Sequence, residues 1–184
     1  MNLNKDKKIL IIDFGSQVTQ LIARRIRELA VYCEIISYQK FNKLNSIENV
    51  KGIILSGGPS SISKKNFPNI KNLNLINKIP ILAICYGHQL IAKIHNGKVK
   101  FSNKKEFGRA ILFSKSKSPL TKNFFSNKKT TVWMSHSDEV TKLPKGFSVV
   151  ASTKNSSFAI IQNLKKKYSQ FNFILKSFIL KMEL

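Results

Sequence analysis

With 184 residues, the chain can bury one α/β core but not two large domains. Two cysteines, Cys33 and Cys85, exclude a disulfide framework. No apolar run approaches the ~20 residues that cross a bilayer, and no segment after Met1 has the order of a secretory signal, so a cytoplasmic protein without membrane contact is expected. A net charge of +23 invites a polyanion, yet the lysines fall in scattered pairs (Lys64-Lys65, Lys104-Lys105, Lys128-Lys129) and one triplet, Lys165 to Lys167, without interleaved aromatics. Lys, Asn, Ile and Phe share A/T-rich codons, so drift in base composition is the simpler cause. Specific nucleic-acid binding is not expected, and weak nonspecific binding at low salt is.

Lys8 to Ile12 reads as a first strand, followed by a Gly15-Ser16 turn. A helix should then run from Gln17 to about Leu29, because Val18, Leu21, Ile22, Ile26 and Leu29 recur at helical spacing. Cys33 to Ser37 and Val50 to Leu55 are further strands. The latter ends in Ser56-Gly57-Gly58-Pro59-Ser60-Ser61, where glycines allow backbone amides to converge on an anion or oxyanion, although a plain loop fits the same residues. Ile79 to Ile84, containing Pro80, reads as a buried strand and Gly87 to Ile94 as a helix. Phe107 to Thr153 is richer in β-type residues, with no linker before it. The alternation predicts an α/β fold, an open and mostly parallel sheet flanked by helices.

Cys85 falls on the strand-to-helix junction. Small residues two before and two after it, Ala83 and Gly87, permit the sharp turn that presents a nucleophile. A thiol at a helix N-terminus is expected to titrate below the free value of roughly 8.5. A core cysteine packed as a small hydrophobe is the other reading.

These pieces together resemble the class I glutamine amidotransferase domain, of flavodoxin-like fold. The resemblance runs from Ile9 to about Gln162. It rests on Asp13-Phe14-Gly15-Ser16-Gln17, Thr19 to Glu28, Leu55-Ser56-Gly57-Gly58-Pro59, Ala83 to Gln89, Glu106-Phe107-Gly108-Arg109-Ala110 and Val132-Trp133-Met134-Ser135-His136. Asp138, Leu143-Pro144 and Gly146-Phe147 point to the branch that aminates xanthosine monophosphate (XMP) rather than to the anthranilate or carbamoyl-phosphate branches. Ser137 stands where that branch has Gly. The resemblance implies that Cys85 attacks the side-chain amide of glutamine, forming a glutamyl thioester and releasing ammonia. Backbone amides of Gly57 and Tyr86 would form the oxyanion hole, worth about 3 kcal/mol per donor. Gln89 and the backbone of Ser135 and His136 would hold the substrate, while His88 and His136 would be structural histidines with satisfied imidazoles. The domain would need no metal and no cofactor. ATP and Mg2+ would serve an ATP-pyrophosphatase synthetase domain, the expected partner, and a dimerisation domain would make the full enzyme a homodimer.

One departure matters. The family supplies its base and the base's orienting carboxylate as a His-x-Glu motif near the domain's end. The three histidines here, His88, His95 and His136, offer no such motif. Yet Asn172 to Leu184 can be encoded by codons that, read two bases later, give Phe-His-Pro-Glu-Val-Ile-His-Thr-Glu-Asn-Gly-Ala, with Ile-Phe-Ser-Ile-Gln before it across Tyr168 to Phe171. A frame change at or just before Lys165 to Lys167, where AAA codons would form a slippery run, is the expected cause. Residues 1–164 then form an incomplete amidotransferase domain and 165–184 an out-of-frame tail, an apolar aggregation liability, with the synthetase and dimerisation domains absent. The Gly57-Gly58 turn superficially resembles a Ser-Gly-Gly-x-Asp-Ser phosphate loop but lacks its Asp and a following helix. Against an amidotransferase stand a catalytically dead remnant that binds glutamine or a synthetase partner, and a basic nucleic-acid-binding module. Ammonia release dependent on Cys85 separates the first from the second, and steeply salt-dependent sequence-specific binding marks the third.

Overall fold

The computed structural model describes residues 7–77 and 79–172, with the side chains of 103–105 outside the description. Its centre is a nine-stranded sheet in the order β2-β1-β3-β4-β9-β8-β7-β5-β6. The first half supplies β1 (Lys8–Asp13), β2 (Cys33–Ser37), β3 (Val50–Leu55) and β4 (Ile81–Ile84), paired in parallel. Helices α1 (Thr19–Glu28) and α4 (Tyr86–Ile94) are joined by two four-residue helices, α2 (Tyr38–Phe41) and α3 (Leu73–Ile76). The second half is antiparallel: a long ribbon of β5 (Lys98–Ser114) and β6 (Lys129–Lys142), then β7 (Ser148–Ser152), β8 (Ile160–Asn163) and β9 (Tyr168–Phe171). Among the described residues, no helix is long and apolar enough to cross a membrane.

Alternation along the strands distributes two cores. Leu10 and Ile12 of β1 join Leu55, Ala83, Leu90 and Ile91 on the α4 side, whereas Ile11 joins Ile22, Ala23, Ile54 and Ile84 on the α1 side. Because both faces are covered, these strands read as continuous apolar runs.

Helix α1 starts at Thr19, two residues later than its periodicity suggests, and the cause is local. One oxygen of Asp13 accepts from Gly15 N at 3.1 Å, Ser16 N at 3.3 Å and Thr19 Oγ1 at 2.6 Å, which holds residues 15–18 in a turn. The sheet also continues past residue 164. Tyr168–Phe171 lies between β4 and β8, parallel to the former and antiparallel to the latter. Part of the segment expected to be an out-of-frame tail therefore forms a strand of the sheet, because a backbone ladder needs an extended chain rather than particular side chains. The side chains fit less well. Gln170 and Asn172 are both fully buried, and neither polar atom of either amide has a hydrogen-bond partner among the described residues.

Candidate active site

Cys85 has φ +48° and ψ −106°, in the left-handed region that a non-glycine residue occupies only when its surroundings enforce it. Three contacts enforce it. The Cys85 amide donates to Phe171 O at 2.8 Å, the Gly87 amide donates to Ser56 O at 3.1 Å, and Gly87 lies directly on Leu55. The junction between β4 and α4 is therefore tied to β9 on one side and to the end of β3 on the other, which presents the residue at the carboxyl edge of the parallel strands.

Gly57 packs on this elbow. A Cβ built on it would sit 3.6 Å from Cys85 Cβ and 3.3 Å from Ser16 Oγ. Tyr86, as the first helical residue, has an amide for which the helix offers no acceptor. The structure thus brings Gly57, Cys85 and Tyr86 together. Ser56, fully buried, organises the approach: its hydroxyl accepts from Phe14 N at 3.1 Å and lies 2.8 Å from Gly57 O and 3.3 Å from Asp13 Oδ1.

The thiol differs from its expected state. Although Cys85 keeps partial exposure, burial pushes its thiol from an ordinary 9.0 up to about 12. A helix terminus contributes only about 0.3–1 kcal/mol, less than one pKa unit, whereas desolvation can move a buried group by several units. Position at a helix end does not by itself make this sulfur a thiolate.

Gln89, one turn into α4, donates its side-chain amide to Asp138 O at 2.9 Å, which ties the helix to β6. On β6, alternation turns His136 inward and leaves Ser135 exposed, opposite Phe107. Nε2 of His136 lies 3.4 Å from Glu106 Oε2, and Thr153 Oγ1 donates to the same carboxylate at 3.0 Å. Sequence reasoning passed over Glu106 as a partner for His136 and Asp138 as a junction. The chain has 9 acidic against 32 basic residues, but scarcity alone does not mark a carboxylate as buried, and the burial of Glu106 and Asp138 is set by the fold.

None of the three imidazoles is set up as a base for Cys85. His95 caps the far end of α4, between the rings of Phe147 and Tyr168, and a helix of that length separates its ends by about 14 Å. His88 is fully buried without hydrogen-bond partners among the described residues; burial, with His136 nearby, pushes it down to about 3. His136 is held low by burial, opposed by Glu106. His95 is lowered by burial and by Lys166.

These depressed histidines make the fold sensitive to acid. A histidine lowered from 6.5 contributes stability that is present above that pH and lost as pH falls towards its folded value, about 3 for His88. Unfolding free energy should therefore fall below pH 6.5 by up to about 1.4 kcal/mol per pH unit for each such histidine. Urea unfolding between about pH 7 and about pH 5 checks this. A flat profile would mean that the imidazoles are solvated.

An open mixed sheet, with a cysteine on a positive-φ turn between a parallel strand and a helix, defines the nucleophile-elbow class of α/β proteins. The chain belongs to the class-I glutamine amidotransferase family, whose sequence model matches residues 10–171. It is 46% identical over 162 residues to the glutamine-hydrolysing GMP synthase of Bradyrhizobium diazoefficiens, covering 88% of this chain and 29% of that protein. To the corresponding enzyme of Agrobacterium fabrum it is 49% identical over 163 residues, covering 87% and 31%. The chain thus spans about 30% of the length of these relatives. Among solved structures, a glutamine amidotransferase from Thermotoga maritima superposes with TM-score 0.76 at 21% identity, covering 94% of this chain and 77% of that one, which bears on the fold alone. A candidate GMP synthase subunit from Thermoplasma acidophilum gives TM-score 0.71 at 26% identity, covering 91% and 83%.

Proposed function

We propose that this chain is the glutamine-binding, thiol-bearing portion of a cytoplasmic GMP-forming amidotransferase, in which ammonia from glutamine aminates XMP. The observation that carries this is the Cys85 elbow with Gly57 packed against it. Sγ would attack the side-chain carbonyl carbon of glutamine, and the developing oxyanion would be met by the amides of Gly57 and Tyr86. A general base would take the Sγ proton on attack and pass it to the nitrogen, so that the C–N bond breaks and ammonia leaves, and water then hydrolyses the glutamyl thioester to glutamate. Gln89 and the Ser135–His136 backbone would hold the substrate. The XMP-using partner would be a synthetase portion that takes ATP and Mg2+, in a homodimeric full enzyme.

The proton carrier is the missing part. We read residues 165–184 as out of frame, a reading supported by β9. Its backbone ladder is complete, while the amides of Gln170 and Asn172 are buried without partners among the described residues. As written, the chain would bind glutamine and turn it over negligibly. The absence of a placed base among the described residues favours this second, binding-only reading for the product ending at Leu184. Calorimetry with L-glutamine and L-glutamate tests the reading common to both: saturable binding that prefers glutamine is expected, and no saturable heat with either would overturn it.

A further inference from the structure

The Gly-rich loop after β3 owes its shape to its two ends, because Gly57 and Gly58 have no side chains with which to anchor themselves. The near end is fixed by Ser56 and Asp13. At the far end, Oδ2 of Asp138, itself 3% exposed, accepts from both Ser61 Oγ at 2.7 Å and Ile62 N at 2.8 Å. From the opposite side, Lys93 of α4 donates its ammonium to Ile62 O at 2.9 Å, with its charge 4.3 Å from the centre of the Phe67 ring. One peptide segment is therefore gripped at its N–H by a carboxylate and at its carbonyl by an ammonium. Charge-assisted hydrogen bonds of this kind are roughly twice as strong as neutral ones. Asp138 also receives Gln89 through its own carbonyl, so a single residue of β6 joins the loop, the helix behind Cys85 and the strand carrying His136.

We propose that Asp138 and Lys93 are positioning residues, a two-sided clamp on Ile62 that holds the Gly57 amide at the distance from Cys85 at which it can receive an oxyanion. The clamp rests on the glutaminase reading above. Displacements of about 1 Å at such a donor are enough to cost most of its effect, so a loop whose donor residue is a glycine needs fixed ends. Simple stabilisation of the fold would use the same contacts, and the two roles separate by experiment.

The probe is a chloroketone analogue of glutamine, which must be bound and polarised like the substrate before it alkylates Cys85. Iodoacetamide, which needs only access to the sulfur, is the reference. In the full chain the ratio of the two rates should be well above one. Asp138→Ala, which strands a buried Ile62 N–H, should lower the ratio roughly tenfold. Lys93→Met should lower it severalfold, leaving the iodoacetamide rate unchanged. Asp138→Asn, which can still present an oxygen to Ser61 and Ile62, and Lys93→Arg should recover most of the loss. Lys93 is exposed, so its variants remain folded and carry the test even where Asp138→Ala does not. An unchanged ratio in Asp138→Ala and Lys93→Met overturns the clamp and leaves the glutaminase reading standing. A ratio near one in the unsubstituted chain overturns the glutaminase reading, and the clamp with it.

Discussion

A chain whose frame changes at Lys165 to Lys167, so that it continues Ile-Phe-Ser-Ile-Gln-Phe-His-Pro-Glu, should release ammonia from glutamine roughly 10²–10⁴ times faster than the chain ending at Leu184. That range is what a positioned general base contributes, and a base is the one component that the described residues do not provide. The fold is ready to receive it. Strand β9 runs parallel to β4, and its last residue accepts the Cys85 amide, so whatever follows β9 emerges beside the elbow. At present that residue is Asn172, fully buried, with both side-chain atoms lacking a hydrogen-bond partner among the described residues. The shifted continuation carries its histidine one or two residues beyond that position, and the thiol it would serve is one that burial has raised to about 12 and that needs a proton acceptor to react at neutral pH. The measurement is glutamine-dependent ammonia release by both proteins, with Cys85→Ala in the shifted chain as the zero. Equal rates from the two chains would sink the frame argument, as would a gene sequence whose codons do not read Phe-His-Pro-Glu in the shifted frame.

The parallel half of the fold was legible because its signals are local. An apolar run of strand length, a glycine turn and a helical repeat each depend on a few adjacent residues, and β2 and β3 have the bounds that their sequences indicate. Cys85 was legible for the same reason, since Ala83 and Gly87 mark a sharp turn without reference to anything distant. Its charge state was not. The expected lowering weighed a helix end and omitted the enclosure supplied by β9 and the Gly57 loop, elements far away in the chain. The β5–β6 ribbon was foreseen only as β-rich sequence. Its register, which sets Glu106 opposite His136, is fixed by cross-strand pairing that no periodicity reveals. Asp138 was hidden by its chemistry, because an acidic residue near a strand end ordinarily faces water. Its value comes from Ser61 and Ile62, contributed by a separate loop.

The second large effect concerns Gly87, and contrasting it with Gly57 separates the roles of the two glycines. A Cβ on Gly87 would lie 2.7 Å from both Cβ and the backbone oxygen of Leu55, contacts that real side chains do not make. Leu55 is a fully buried residue of a central parallel strand, so neither partner can retreat without breaking the Gly87–Ser56 hydrogen bond that closes the elbow. Overpacking of this kind costs about 3 kcal/mol, while replacing a helical glycine by alanine returns about 1 kcal/mol. Gly87→Ala should therefore lose about 2 kcal/mol in urea unfolding, a large fraction of a domain's ordinary margin. Gly57→Ala meets only ordinary and slightly tight contacts, at 3.3 Å and beyond, and its φ is not in the left-handed region. Its stability should stay within about 0.5 kcal/mol of the unsubstituted chain. Its new methyl, however, lies against Cys85 where an oxyanion would form, so glutamine-directed alkylation should suffer while unfolding does not. The opposite pattern, a stable Gly87→Ala and an unfolded Gly57→Ala, would mean that the strand-to-helix turn closes through the Gly57 loop rather than on Leu55.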